Sequence, residues 1–217
     1  MTKTPILLIL LFTVVSLISA CSGMTDISYA ASENDVRTIK KLINNGENIN
    51  VQDEDGDTPL ITAATFGKLE SVKFLLSKGA NANIKNKDGE TAITTLGLLG
   101  KKHSAEIIKL LVAKGANINV KNNEGDTALH SAVLFGSRNL VKALLDNGAN
   151  PNIKNKEGDT PIWSICGRKD TKQILDMLLL KGANINSRDS EGDTISALQS
   201  CSDNKVLYAY LKSKGLK

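Results

Sequence analysis

Aromatic residues and net charge are both scarce in this chain of 217 residues, and the shortage argues against nucleic-acid binding. Phe, Tyr and Trp make up 4% of the residues, so the ring-stacking platforms of single-strand binders have few side chains to draw on. The formal net charge is only +4, which is too small to indicate a phosphate-binding surface. We therefore expect no nucleic-acid partner.

Histidine is the second residue type in short supply. The chain contains two, His103 and His130, and neither has a cysteine or another histidine at the spacing of a metal site. No nucleophile elbow, phosphate-binding loop or His-x-x-x-His pair is present either. We therefore expect a protein that is not an enzyme, with no cofactor, no metal and no small-molecule substrate.

Only one long apolar run exists, from Ile6 to Val15 near the N-terminus. It follows Lys3 and is too short for a comfortable membrane-spanning helix, which needs about 20 apolar residues. The small residues Ser19 and Ala20 come next, directly before Cys21, and this order is typical of a secretory signal. Two alternatives to a signal that leads to lipidation of Cys21 are an ordinary signal peptide with an incidental cysteine and a buried apolar helix.

The stretch Ile18-Ser19-Ala20-Cys21 resembles a bacterial lipobox. The resemblance implies that residues 1–20 are a lipoprotein signal peptide, and that residues 21–24 form a lipidated N-terminus and a short spacer. Two or three acyl chains, palmitate among them, would anchor Cys21 stably to a membrane of the cell envelope. Ser22 is not the aspartate of inner-membrane lipoproteins, which points to the outer membrane, facing the periplasm, in a Gram-negative cell.

The remainder of the chain repeats itself. Gly-Asp-Thr or Gly-Glu-Thr recurs with its glycine at 56, 89, 125, 158 and 192, which gives spacings of 33, 36, 33 and 34 residues. A period near 33 is typical of stacked-repeat proteins. Each threonine can cap a helix that follows it. A second set of glycines is placed to end the second helix of each unit: Gly79, Gly115, Gly148 and Gly182.

Residues 122–154, NNEGDTALHSAVLFGSRNLVKALLDNGANPNIK, resemble an ankyrin repeat in the TALH turn, the glycine between the helices and the NGANPN exit. The resemblance covers residues 25–217 and implies an all-α solenoid with short β-hairpin fingers, built from about six helix-turn-helix repeats. The repeats fall at 25–52, 53–85, 86–121, 122–154, 155–188 and 189–217. His130 is expected to tie its turn to the backbone.

The resemblance also implies a concave partner-binding surface, lined by the hairpin tips and the first helices. The residue before the inter-helix glycine is apolar in three consecutive repeats, and in two of them the residue before it is apolar as well. Such a patch is typical of a protein interface. We assign to this groove Phe66, Leu98, Leu99, Leu134, Phe135 and Trp163. Packing against the turn is the alternative for Trp163. By phase Leu96 belongs to the core, and residues 101–106 form an enlarged inter-helix turn.

Charged residues recur at the hairpin tips. The basic ones are Lys85, Lys121, Lys154 and Arg188, and the acidic ones include Asp57, Asp126 and Asp159. They either keep the surface soluble, since exposed ion pairs add only ~0–1 kcal/mol each, or steer a partner.

Cys166 and Cys201 lie at nearly equivalent places in neighbouring repeats. The sequence leaves two alternatives for them, buried free thiols or a disulfide.

Two functions remain from these patterns. The first is a lipid-anchored module that binds another envelope protein in its groove, as an inhibitor, immunity factor or scaffold. The second is a structural envelope protein held in a permanent complex. The fold alone does not choose between them, because function depends on the residues of the site.

Overall fold

The computed structural model describes residues 23–99, 103–165, 171–194 and 205–216, with the backbone alone at residues 98 and 99. Helices occur in pairs along these ranges. In chain order they are α1 Asp26–Ser32, α2 Val36–Asn44, α3 Pro59–Thr65, α4 Leu69–Ser77, α5 Ala92–Leu99, α6 Ser104–Ala113, α7 Ala128–Leu134, α8 Arg138–Asp146, the 3-10 helix Pro161–Ile165, α9 Thr171–Leu180 and α10 Lys205–Ser213. Within this described part, none combines the length and the apolar character that a membrane span requires.

The helices stack in two layers. The first helices of successive repeats contact one another from α1 through α3, α5 and α7 to the 3-10 helix, and the second helices do so from α2 through α10. Each pair also packs internally, so one core runs along the described part of the chain. The predicted all-α solenoid of stacked repeats is confirmed.

The core is continuous across repeat boundaries. Val72 and Leu75 of α4 are fully buried, as are Val141 and Leu144 of α8, which confirms the apolar stripe on the second helices. Leu96 has 1% of its surface exposed, as its repeat phase predicts. The first helices contribute both alanines, such as Ala63 and Ala132, and larger residues, such as Leu60 and Leu129, to this core.

Helix starts and stops follow the predicted chemistry. The Thr58 hydroxyl accepts the N–H of Ile61 at 3.2 Å, and Pro59 occupies the first turn, where an N–H is not needed. Gly148 has φ +94°, a left-handed conformation that side-chain-bearing residues resist, directly after α8 and Asn147.

The fingers between repeats are tip turns, which we define as residues 53–57, 86–90, 122–126, 155–159 and 189–193. In each, the N–H of the first residue donates to the carbonyl of the fifth. Neighbouring tip turns are joined by backbone hydrogen bonds such as Asn123 N–H to Asp88 O at 2.9 Å. The described residues form a single isolated bridge, Arg188 with Thr194, and no extended strand.

The inter-helix turn of repeat 3 is shorter than predicted. Residues 104–106 belong to the first turn of α6, whereas residues 100–102 lie outside the described part of the chain. The carbonyl of His103 accepts the N–H of Ile107 at 2.9 Å, and this bond begins the helix. Glu106 suits the first turn because its charge complements the helix dipole, and its carboxylate lies 3.3 Å from Lys73 of repeat 2.

Gly97 sets the closest approach between the first helices of repeats 3 and 4. A Cβ atom added there would lie 2.7 Å from the carbonyl oxygen of Ala128 and 2.8 Å from Cβ of Ser131. Ala64 and Val133 occupy the same repeat position in the neighbouring units. A side chain at residue 97 would therefore push α5 and α7 apart.

An asparagine column, missed from the sequence, joins each repeat exit to the next. The side chain of Asn152 donates to Gly182 O at 2.8 Å and accepts the N–H of Asn184 at 2.7 Å. Asn119 and Asn83 make the same two contacts one and two repeats earlier. The recurring Asn-x-Asn after each helix-ending glycine was the signal that could have revealed them.

We predict that Asn152→Ala lowers the free energy of unfolding by about 1–2 kcal/mol, because it removes two hydrogen bonds between repeats 4 and 5. Urea denaturation followed by circular dichroism measures this change. Asn45→Ala replaces an exposed asparagine at the end of α2 and is the control. Equal stability of the two variants would contradict a stabilising column.

Candidate interaction surface

An exposed apolar pair lies at the end of the first helix of repeat 4. Leu134 is 46% exposed and Phe135 is 42% exposed, although the two preceding residues of α7 are buried. Leu134 is the last residue of α7 and Phe135 is its C-cap, so both lie where the first helix of repeat 4 ends. Leu134 shares its face with Ser131, three residues earlier. This face has no partner in the described part of the chain.

The other predicted groove residues are less exposed or lie outside the described side chains. Phe66 holds the same repeat position as Phe135 and is half-buried. The side chains of Leu98 and Leu99 lie outside the described part of the chain. Tyr29, which the sequence analysis did not select, is 55% exposed on α1 at the repeat position of Ser131. Its place four residues after the capping Thr25, where Ser131 follows Thr127, was the signal that could have identified it.

Trp163 does not belong to the exposed groove, which corrects that prediction. It is only 5% exposed, and its indole N–H donates to Ser187 Oγ at 3.1 Å. The Thr160 hydroxyl pairs with the same Ser187 Oγ at 2.9 Å. A buried indole needs a hydrogen-bond acceptor, and Ser187 provides one where other repeats have an aliphatic residue. The turn-packing alternative is therefore the one that the structure supports.

His130 ties the first helix of repeat 4 to the tip turn of repeat 5. The backbone N–H of Thr127 donates to Nδ1 at 3.1 Å, so the ring proton is on Nε2, which donates to the backbone oxygen of Asp159 at 3.1 Å. Burial lowers the pKa of His130, which keeps the imidazole neutral. The predicted turn-fastening role of His130 is confirmed.

The predicted basic tip residues make contacts between repeats. The ammonium group of Lys85 donates to Lys121 O at 2.6 Å, that of Lys121 to Lys154 O at 2.6 Å, and that of Lys154 to Arg188 O at 2.7 Å. Arg188 donates to the carbonyl of Gly192 in the tip turn that follows it. These side chains thus stabilise the stacking of the tips, and a role in partner binding stays a prediction.

A second column alternates carboxylates with amides. Asn86 donates to Asp57 at 2.7 Å, and Asn155 donates to Asp126 at 2.9 Å. Between them, Asn122 donates to Glu90 at 2.8 Å. Each amide thus compensates the carboxylate of the preceding repeat, which would otherwise be buried beside like charges.

This alternation breaks at the last step, where Asp189 replaces the amide. Its carboxylate accepts the N–H groups of Glu191 and Asp193 but has no proton to offer Asp159. Burial, with the nearby charges of Glu157 and Asp189, raises the pKa of Asp159 to about 6. Burial also raises the pKa of Asp57 to about 6, even though Asn86 bonds to it.

The tips are acidic although the whole chain is basic. Residues 52–57, 85–90, 121–126, 154–159 and 188–193 contain 13 acidic and six basic side chains, whereas the formal net charge of the chain is +4. The helices and connections therefore contain most of the basic side chains. Such separation of charge sets up an electrostatic field that acts on an approaching partner.

The described residues contain no cysteine, so the predicted disulfide stays a prediction. No group of three or more histidine, cysteine or acidic side chains within them is arranged to hold a metal ion. Cys166 and Cys201, the two candidates for a disulfide, lie outside the described ranges, as does Cys21.

Comparison with known families decides the classification. A family model for ankyrin repeats matches residues 27–96, 96–189 and 129–211. The chain belongs to the ankyrin-repeat family. Ankyrin repeats are generally non-enzymatic scaffolds for protein interaction, and this repeat protein has the stacked helices and tip turns of such a scaffold.

Solved structures resemble this ankyrin array closely. An ankyrin repeat domain from Acinetobacter baumannii is 28% identical, with a TM-score of 0.76 over 88% of this chain and 98% of that one. A chain in the structure of the predatory endopeptidase from Bdellovibrio bacteriovorus in complex with an immunity protein is 30% identical, with a TM-score of 0.73 over 89% and 100%. A search of curated proteins found no match.

We predict that the contribution of Asp57 and Asp159 to the free energy of unfolding decreases as the pH rises from about 4 to about 6. Asp57 and Asp159 have a pKa of about 6 when folded, against 3.8 as the ordinary value. The folded state therefore binds protons more tightly, and this contribution is complete below pH about 4 and lost as the pH rises through about 6. Urea denaturation at several pH values measures the slope.

Asp189→Asn restores the missing amide and should weaken this pH dependence. The pKa of Asp159 should fall, and stability near pH 7 should rise, because the new amide could donate to Asp159 as Asn155 does to Asp126. Carboxyl titration by NMR measures the pKa. Asp53→Asn is the control, because residue 53 lies in the first tip turn and no preceding tip turn presents a carboxylate to it. An unchanged Asp159 titration in Asp189→Asn would contradict this explanation.

Proposed function

We propose that this protein is a lipid-anchored interaction module of the bacterial cell envelope. Its concave face binds a partner protein, and this binding restrains the partner as an inhibitor or immunity factor. The observation that carries the proposal is the unpartnered apolar face at the end of α7, formed by Leu134 and Phe135. Large apolar side chains of this kind, rimmed by polar residues, supply much of the binding energy at protein interfaces.

One structural relative supports the proposal that binding inhibits the partner. A chain of the Bdellovibrio bacteriovorus endopeptidase–immunity protein structure shares 30% of its residues with this chain and is covered over its whole length. We extend from it the idea that an array of this length is able to bind an enzyme of the envelope. Because function depends on the site, the likeness favours this class of partner without naming it.

The anchor belongs to the proposal through the lipobox-like stretch that ends at Cys21. Gly23 lies beside the tip turn of repeat 2, since a Cβ atom added at Gly23 would be 2.9 Å from the carboxylate of Glu54. A lipid two residues earlier, at no more than ~7 Å along the chain, would keep repeats 1 and 2 next to the bilayer. The remaining repeats would extend away from that surface.

We predict that Cys21→Ser moves the protein from the membrane fraction to the soluble fraction of its own cell. The thiol is the atom that a lipobox cysteine uses to take its first acyl chains, and serine has none. Metabolic labelling with palmitate, followed by fractionation, tests both steps. Ser22→Ala, which keeps the thiol, is the matched control, and unaltered fractionation of Cys21→Ser would rule out the lipid anchor.

We predict that Phe135→Glu abolishes recovery of the partner when the tagged protein is cross-linked and purified from its own envelope. The charge would be placed in the centre of the apolar contact, where it would have to be desolvated. Phe66→Glu should reduce recovery at the second groove position. Leu180→Glu changes an 84% exposed leucine on α9 and should leave recovery intact.

The outcomes separate the two functions. Reversible, groove-dependent capture agrees with an inhibitor or immunity factor, whereas a complex of constant stoichiometry that resists high salt agrees with a structural protein. Recovery of the same partner by wild-type protein, Phe135→Glu and Phe66→Glu would contradict the proposed groove. Loss of an envelope enzyme's activity on adding purified protein tests the restraint itself.

A further inference from the structure

The N-terminal end of the concave face has negative charge and no positive charge along two chain segments. Residues 23–36 contain α1 and its flanks, and residues 52–67 contain the tip turn and first helix of repeat 2. Together these segments hold seven acidic side chains and no lysine or arginine. The basic residues of repeat 1 begin at Arg37, on α2 in the other helix layer.

The two segments are adjacent in space. Helices α1 and α3 pack against each other, and Gly23, just before α1, lies against Glu54 in the tip turn of repeat 2. The exposed acidic side chains here include Glu33, Glu54 and Asp55. They lie on repeat 1 and on the tip turn of repeat 2, at the N-terminal end of the described array.

Aromatic side chains lie on the same face. Tyr29 is 55% exposed, and Glu33, four residues further along, is on the same side of α1. Phe66, half-buried at the end of α3, is one repeat further along the groove. Aromatic rings beside carboxylates attract a cation in two ways, because the ring face is electronegative and the carboxylates are charged.

We propose that Tyr29 and the acidic tip turn 53–57 bind a lysine- or arginine-bearing segment of the partner protein. This inference rests on the proposed function, because it concerns the same groove and names the chemistry of its occupant. The choice of a basic segment follows from charge complementarity, which steers association and selects among partners. The apolar pair of repeat 4 would contact a different, uncharged part of that partner.

The arrangement also gives the partner an orientation. Stacked helices are separated by about 8–10 Å, so Tyr29 in repeat 1 and Phe135 in repeat 4 are on the order of 25–30 Å apart along the groove. A partner that fills the groove therefore places its basic segment at the N-terminal end and its apolar contact at the middle of the array.

The test uses a fluorescein-labelled probe peptide, Gly-Lys-Gly-Lys-Gly-Lys-Gly, and the full chain in detergent. Anisotropy measures its binding, with the same peptide bearing glutamine in place of lysine as the neutral reference. We expect the lysine peptide to bind, to weaken with added salt, and to bind about fivefold more weakly to Tyr29→Ser and to the double variant Glu54→Gln, Asp55→Asn. All three positions are exposed, so these variants should fold.

Two control variants localise the effect. Glu157→Gln removes an exposed carboxylate from the tip turn of repeat 5, and Glu70→Gln removes one from α4 in the outer layer. Both should bind the lysine peptide as the wild type does. Equal weakening by Glu157→Gln would mean that any acidic tip attracts the peptide, and this would overturn the assignment to the N-terminal end. Binding of the glutamine peptide, or no binding of either, would overturn it as well.

The result is distinguishable from failure of the proposed function. If the envelope partner is captured through Phe135 while Tyr29→Ser and the tip variant capture it equally well, the basic-segment inference is wrong and the interaction module stands. If the lysine peptide binds as expected but no partner is captured, the proposed function is wrong and the cation-binding surface stands.

Discussion

Burial between neighbouring repeats is the constraint on which the rest of the structure depends. A single repeat has one apolar stripe on its second helix and cannot cover it alone, so Val72 and Val141 become fully buried only because other helices pack against them. The apolar residues that the helices bury therefore form one continuous core.

Hydrogen bonds between repeats fix how neighbouring repeats are aligned. Apolar contacts alone would allow neighbouring repeats to slide, whereas Asn152, Lys121 and Asn155 each reach a defined atom of an adjacent repeat. Much of the polar tip surface is therefore already used inside the molecule. The surface that remains available to a partner consists of the exposed ends of α1 and α7, together with those carboxylates that no amide compensates.

The fold and part of the surface could be predicted from the sequence because they depend on local rules. Threonine caps such as Thr58, the core residue Leu96 and the exposed Phe135 all follow from position within a repeat. Trp163 could not be placed in this way, because its burial depends on Ser187 in the next repeat. The start of α6 was misplaced for a similar reason, since phase alone does not say on which side of an insertion a helix resumes.

Gly97 has a consequence for how such an array can change over generations. Repeat proteins lengthen and shorten by duplicating or deleting whole units, and the neighbouring units have Ala64 and Val133 at the position of Gly97. The junction between repeats 3 and 4 is different, because only a residue without a side chain fits against Ala128 and Ser131. A unit inserted at this junction would have to bring its own glycine, so the two repeats are expected to be inherited as a pair.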